Sequence, residues 1–189
     1  MTPSDRWLLA GALSMFLLGC GKGVPTTPSG PSSTAVQKLA STKTPEERFY
    51  ALNAAAKESI GAGNVEEARK YANELLTAAA KFPGDWNYGN AIQDGNHVLG
   101  RIALKEGHLA EAKQYLLSSA ASKGSPQMNS FGPNMILAKD LLEKGERETV
   151  LEYFSLCRKF WTMGKKSLDE WTQAVKDGQV PNFGPNLLY

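Results

Sequence analysis

The sequence has little that would let it cross a membrane as a helix. Its apolar run near the start, from Trp7 to Leu18, has twelve residues, whereas a membrane-spanning helix needs about 20. No stretch alternates apolar and polar residues in the way that a half-buried strand does. The run is therefore too short for a spanning helix, and nothing in the pattern favours a sheet.

Signatures of catalysis are also missing. There is no Gly-rich phosphate loop ending in Lys-Ser or Lys-Thr, and no Gly-x-Ser-x-Gly turn. Only two histidines occur, His97 and His108. Asp94 and His97 share a helical face and could supply two metal ligands, but nothing supplies a convincing third and fourth. We expect no metal, no cofactor and no enzymatic activity, and a surface role for these polar residues.

The net charge is small, and there are few cysteines. The formal net charge is +2, from 21 Lys and Arg against 19 Asp and Glu, which is too small to indicate a nucleic-acid partner. The two cysteines are Cys20 and Cys157. If Cys20 is modified, Cys157 has no partner for a disulfide, and its setting "LEYFSLCRKFW" indicates a small buried apolar residue.

What is present near the start indicates export. A short polar segment with Arg6 precedes the apolar run, as in a secretory signal. The run ends in Leu17-Leu18-Gly19-Cys20, which resembles the lipobox of bacterial lipoproteins. The resemblance implies cleavage after residue 19 and a lipid on the Cys20 sulfur. The alternative is a signal peptide, cleaved elsewhere or not at all, with an incidental cysteine.

Residues 20–43 begin "CGKGVPTTPSGPSSTAVQ" and are dominated by Gly, Pro, Ser and Thr. Such a composition buries little and predicts a flexible tether. The lipoprotein resemblance then implies a domain anchored to a bacterial membrane and facing the periplasm or the exterior. Gly21 rather than Asp follows the cysteine, which would favour the outer membrane in a double-membraned host.

The remainder, residues 44–189, predicts one all-α domain of about seven helices. Thr44, Pro45 and Glu47 give the first helix an N-cap, a first-position proline and a capping box. Spacings of three and four between apolar residues continue the pattern. The predicted helices span approximately 44–61, 64–81, 87–106, 109–122, 133–144, 146–162 and 167–178.

The joints between these helices look alike in "GAGNVEEARKY", "LKEGHLAEAKQYL" and "LEKGERETVLEYF". Their glycines, Gly63, Gly107 and Gly145, lie 44 and 38 residues apart (107 − 63; 145 − 107). A period near 40 with two helices per unit is typical of helical-hairpin arrays. Five residues after each glycine comes a small or apolar residue: Ala68, Ala112 and Val150.

The middle unit, "HVLGRIALKEGHLAEAKQYLLSSA", resembles a tetratricopeptide repeat, with Leu-Gly, a turn glycine and a helix-B alanine at the family's spacing. The resemblance implies three antiparallel hairpins followed by a capping C-terminal helix and a packed tail. The outer units depart from the pattern, since Ala56 and Ala138 stand where Gly100 stands. The alternative is a generic helical bundle.

The repeat register suggests a binding groove. The first helix of each hairpin lines the concave face in such arrays, and the residues after the aligned positions are Lys57, Arg101 and Lys139. Asn53 and His97 precede those positions by three residues. A stacked cationic ridge suits an acidic or carboxylate-ended peptide. The alternative is a solvated charged face.

We therefore expect a non-enzymatic adaptor or scaffold, held at the membrane, that binds an unknown envelope protein or peptide. The alternatives are a small-ligand-binding or enzymatic helical domain, or a purely structural envelope lipoprotein. The tetrapeptide Phe-Gly-Pro-Asn occurs twice, at 131–134 and 183–186, outside the glycine period. We interpret the first copy as the start of the helix at Pro133, and the second as a turn before a tail that packs back on the last helix or hairpin.

Overall fold

A computed structural model describes residues 34–188, and within that range the chain is all-helical, without strands. The predicted signal peptide and Cys20 lie outside the described residues. Two short 3-10 helices, Thr162–Gly164 and Gly184–Leu187, accompany the α-helices. The α-helices are α1 (Ala35–Ala40), α2 (Pro45–Gly61), α3 (Val65–Ala79), α4 (Tyr88–Lys105), α5 (Leu109–Ser119), α6 (Pro126–Phe131), α7 (Ile136–Glu143), α8 (Arg147–Cys157) and α9 (Lys165–Lys176).

The helix α1 lies inside the stretch predicted to be a tether. Thr34 caps α1 through a capping box with Gln37, and Leu39 is buried against α2. The Glu58 carboxylate accepts a hydrogen bond from the Ala35 N–H at 2.7 Å. A helix therefore precedes the domain boundary predicted at residue 44, because composition alone does not reveal a helix of six residues with a single buried apolar side chain.

The start of α2 agrees with the sequence. The Thr44 side chain accepts the Glu47 N–H at 3.1 Å, and Pro45 occupies the first turn. The Glu47 carboxylate accepts the Lys43 N–H at 2.8 Å, one residue before the cap that a capping box would use. The helix start therefore stands as predicted, with its acidic side chain reaching one residue further back.

Three joints share one backbone geometry. Gly63, Gly107 and Gly145 have φ of 81°, 83° and 86°. After each glycine, the next N–H donates to the carbonyl five residues earlier, at 2.9, 2.8 and 3.0 Å. These bonds satisfy carbonyls that the helix end leaves open, and glycine adopts the left-handed conformation without a Cβ penalty.

The helix predicted over 133–144 is wrong in its first part. Gly132 instead ends α6 with φ 87°, and α7 starts only at Ile136. The intervening amides bond elsewhere: Asn134 N–H donates to Gln93 Oε1 at 3.2 Å, and Met135 N–H donates to the Asn186 carbonyl at 2.9 Å. Tertiary partners for these amides therefore replace a helical turn.

Phe183 and Asn186 of the C-terminal segment pack back on the domain, in line with part of the prediction, whereas Leu188 near its end is 82% exposed. Phe183 is 1% exposed and meets Trp171 and Phe154 edge-on, with ring centroids 5.0 and 6.2 Å apart. Asn186 Nδ2 donates to the carbonyls of Phe131 and Pro133 at 3.1 and 2.9 Å. The two Phe-Gly-Pro-Asn segments thus contact each other.

Replacing glycine by alanine at two joints separates backbone strain from crowding. Both Gly63 and Gly132 have positive φ, but an added Cβ at Gly63 meets nothing within 4 Å, whereas at Gly132 it lies 2.5 Å from Trp161 and 2.6 Å from Asn186. We expect Gly63→Ala to lower the free energy of unfolding by about 1 kcal/mol. Gly132→Ala should cost about 1–3 kcal/mol more, because its crowded neighbours must move.

Urea unfolding followed by circular dichroism measures both changes. Equal losses in the two variants would show that residue 132 is not packed against Trp161 and the C-terminal segment.

Candidate functional site

A cleft of about 340 Å³ opens between α2, α4, the start of α7 and the C-terminal segment. Its lining combines aliphatic side chains with charged and polar groups. The His97 cleft, as we call it, is lined by Lys57, Glu58, Ile60, Asp94, His97, Val98, Arg101, Asn134, Ile136, Leu187 and Leu188. The volume lies at the lower end of the range of small-molecule sites.

Two of the predicted cations, Lys57 and Arg101, line this cleft, and Lys57 is more closely ion-paired than Arg101. Lys57 Nζ is 3.0 Å from Asp94 Oδ2, an ion pair close to hydrogen-bond distance. Arg101 Nε is 3.7 Å from Asp140 Oδ2, and the guanidinium makes no hydrogen bond to residues 34–188. The Arg101 side chain is 35% exposed. Its donors are therefore available to a ligand.

Asn53 supports the cleft from behind and does not line it. Its amide donates to Asp94 Oδ2 at 2.9 Å, and its carbonyl oxygen accepts from Asn87 Nδ2 at 2.9 Å. Both asparagines are buried. These bonds fix the carboxylate that pairs with Lys57, so Asn53 positions a wall residue, whereas the sequence suggested a direct contact.

His97 forms part of the wall and is only 5% exposed. Neither ring nitrogen has a hydrogen-bond partner among residues 34–188. Burial lowers the pKa of His97 to about 3; the nearby Asn134 side chain opposes this shift, and the charges of Arg101 and Lys57 add to it. The imidazole is neutral at pH 7, with one N–H donor and one nitrogen acceptor unused.

Lys139 is separated from the other two cations. It pairs with Glu143 one turn further along α7, and it is not among the residues that line the cleft. Lys57 and Arg101 come 12 and 13 residues after the first residues of α2 and α4 (57 − 45; 101 − 88), but Lys139 comes three after the start of α7 (139 − 136). Lys139 therefore does not join Lys57 and Arg101 in the cleft, and the predicted stack of three cations does not form.

The segment before α7 covers much of the predicted groove. Ser125 Oγ donates to Asn90 Oδ1 at 2.6 Å, and Asn90 Nδ2 donates to Gln127 Oε1 at 3.2 Å. Tyr153 O–H donates to the Asn134 carbonyl at 3.0 Å. The insertion thus satisfies polar groups along α4 and leaves the His97 cleft open at one end.

Sequence reasoning placed Asp94 and His97 on one helical face but expected that face at the surface, whereas both are buried; it missed the aliphatic residues that the C-terminal segment adds to the cleft. Asn87, Asn90, Asp94 and His97 recur at spacings of three and four and are all buried. The sequence did contain a signal for this burial: polar residues at helical spacing are followed in the chain by a polar insertion, and buried polar groups need such hydrogen-bond partners. Across residues 34–188, no three His, Cys, Asp or Glu side chains converge as a metal site would require.

The burial of neutral His97 predicts acid sensitivity. The pKa of His97 is lowered from 6.5 to about 3 on folding, so the unfolded chain binds the proton first. The stabilising effect of the neutral ring is complete above pH 6.5 and is lost progressively as the pH falls toward 3. We expect the free energy of unfolding to drop by about 2–3 kcal/mol between pH 6.5 and 4.5 from this group.

Urea titrations at pH 6.5, 5.5 and 4.5 measure the slope for the native chain, His97→Gln and His108→Gln. His108 has an exposed side chain, so its variant should keep the native slope while His97→Gln loses much of it. Parallel slopes in all three proteins would refute the role of His97.

No family model, curated protein or solved structure matches this chain. Among residues 34–188, no helix has the length and hydrophobicity that crossing a bilayer requires. The His97 cleft and its chemistry are therefore the basis on which a function is proposed.

Proposed function

We propose that this chain is a non-enzymatic binding module of the bacterial envelope, anchored through a lipid on Cys20, that holds part of a partner protein or peptide in the His97 cleft. The observation that carries the proposal is the cleft itself. It combines aliphatic lining residues with the Arg101 guanidinium and the buried His97 imidazole, neither of which makes a hydrogen bond to residues 34–188.

The protonation chemistry of the cleft favours binding over catalysis. A general base works best when its pKa lies near the ambient pH, whereas the pKa of His97 is about 3. Asp94 is held by Asn53 and Lys57. Groups fixed in this way suit recognition of a ligand better than proton transfer to it.

The similar joints at Gly63, Gly107 and Gly145 support a tetratricopeptide-like arrangement of hairpins, which stays a proposal. The side chains that such packing requires to be small or apolar, Ala56, Ala68, Ala112, Ala138 and Val150, are all 0% exposed. An added Cβ on Gly100 would lie 2.3 Å from Leu137. Close helix packing at these positions supports a rigid scaffold for the cleft.

Anchoring would place the cleft near a membrane. Glu58, in the cleft wall, also accepts hydrogen bonds from the start of α1, so the described chain begins beside the cleft. Residues 21–33 could span at most about 45 Å if fully extended. A tether of this length raises the local concentration of the module for membrane-associated partners.

A small-molecule ligand is the second candidate, favoured by the cleft volume of about 340 Å³. That volume accommodates a few residues of an extended chain or one small molecule, but no folded element. A peptide segment and a small molecule would contact the same lining residues, and the crosslinking experiment below distinguishes them.

Replacing Cys20 by alanine tests the anchor. We expect Cys20→Ala to move the protein from the membrane to the soluble fraction and to abolish incorporation of labelled fatty acid, because the thioether-linked lipid has no attachment point. Cys157→Ala, which alters a buried thiol, is the matched control and should remain membrane-bound. Retention of label in Cys20→Ala would refute the proposed anchor.

Site-specific photocrosslinking in intact cells tests the partner. A photoreactive residue at Leu188, which lines the cleft and is 82% exposed, should capture one discrete protein. The same residue at Lys70, an exposed position on α3, serves as the control. Identical captures from both positions, or none from Leu188, would contradict a protein partner in the cleft.

A further inference from the structure

We propose that the His97 cleft recognises a single carboxylate group on a short aliphatic body, with Arg101 binding the carboxylate and the aliphatic wall binding the body. The inference rests on the proposed binding function and names the chemistry of the ligand. The carboxylate belongs either to a free small acid or to the C-terminal end of a partner chain.

Arg101 is the principal anion-binding group. Its nearest carboxylate atom, Asp140 Oδ2, lies 3.7 Å from Nε, beyond hydrogen-bond distance. Burial raises the pKa of Asp140, against the influence of Arg101, which indicates a weakly solvated and weakly paired carboxyl. A guanidinium with all its donors unused can bind a carboxylate through two parallel hydrogen bonds.

His97 provides a second contact one helical turn away. Residues four apart on a helix have Cβ atoms about 6 Å apart on one face, and both His97 and Arg101 line the cleft. The buried ring has no partner among residues 34–188, and leaving such a group unsatisfied costs about 1–3 kcal/mol. Both ring nitrogens are buried, so a ligand oxygen accepts the imidazole N–H once the ring turns toward the cleft, and that contact would remove the cost.

The charge of the walls favours a monoanion over a phosphate. The lining residues include the two cations Lys57 and Arg101 and the two carboxylates Glu58 and Asp94, so their formal charges cancel. Lys57 is already paired with Asp94 at 3.0 Å. With Lys57 paired to Asp94, Arg101 is the lining cation left for a ligand, and the carboxylates of Glu58 and of Asp140, 3.7 Å from Arg101, oppose a second negative charge.

The aliphatic residues of the lining define the rest of the ligand. Ile60, Val98, Ile136, Leu187 and Leu188 present aliphatic side chains from four parts of the chain. Transfer of methylene groups from water onto such a wall contributes about 0.8 kcal/mol each when they are fully buried. An aliphatic tail attached to the carboxylate therefore adds affinity that acetate alone would lack.

Two histidines give the experiment an internal reference. His97 lies in the cleft and His108 has an exposed side chain elsewhere, and the chain has no others. The probes are octanoate, 1-octanol, and an acetylated Ala-Ala-Leu-Leu peptide with either a free or an amidated C-terminus. Ring-labelled histidine NMR locates binding, and calorimetry measures affinity, both on the full chain.

We expect octanoate or the free-carboxyl peptide to shift the His97 signals and leave the His108 signals in place, while 1-octanol and the amidated peptide bind at least about tenfold more weakly. Arg101→Gln should lower the affinity for the probe by about 10- to 100-fold, as expected for the loss of a charge-assisted hydrogen bond. Arg69→Gln is the control, since Arg69 has the same 35% side-chain exposure and pairs with Glu106 outside the cleft.

Binding of octanoate alone assigns a free acid, and binding of the free-carboxyl peptide alone assigns a chain terminus; either result supports the inference. Equal affinity for acids and their neutral analogues overturns it, as does the absence of a His97 shift with both acids. If crosslinking from Leu188 still captures a partner in that case, the proposed binding function survives and only the carboxylate specificity fails. If the acids bind but no protein is captured, the cleft recognises carboxylates as inferred, and the proposal of a protein partner is refuted.

Discussion

The pairing of the two Phe-Gly-Pro-Asn segments is the interaction on which the cleft depends. Asn186 accepts the Met135 N–H through its carbonyl and donates through its side chain to the carbonyls of Phe131 and Pro133. These bonds hold the non-helical residues before α7 against the C-terminal segment. Asn134 belongs to the first stretch, Ile136 starts α7 directly after it, and Leu187 and Leu188 belong to the second, so the pairing builds one side of the cleft.

The opposite side of the cleft comes from a helix with an unusually buried polar face. The α4 residues from Gly89 to Gly100 are nearly all buried, including Gln93, Asp94 and His97. Most of their polar atoms are matched by Asn53, Ser125, Gln127 and the backbone of Asn134. His97 is the exception among the described residues. An unmatched polar group beside an open cleft is a place where a ligand gains by completing the network.

Local signals predicted most of the helices. Capping residues and glycine turns act within four or five residues, so Thr44, Gly63 and Gly107 marked boundaries that the structure shows. The same reasoning gave the wrong conformation for residues 132–135, because their backbone hydrogen-bonds to Gln93 and Asn186, which are far away in the chain. Of the site, Lys57, His97 and Arg101 follow from helix register, whereas the C-terminal aliphatic wall depends on tertiary packing that no local pattern encodes.

Amide hydrogen exchange at Met135 tests the pairing most directly. Met135 lies outside the hydrogen-bond ladder of α7, and its N–H donates to the Asn186 carbonyl at 2.9 Å. If the two segments hold each other as described, this amide exchanges as slowly as core amides of α4, because both open only with extensive unfolding. Exchange as fast as in an exposed loop would contradict the account, since the wall of the cleft would then lack its main support.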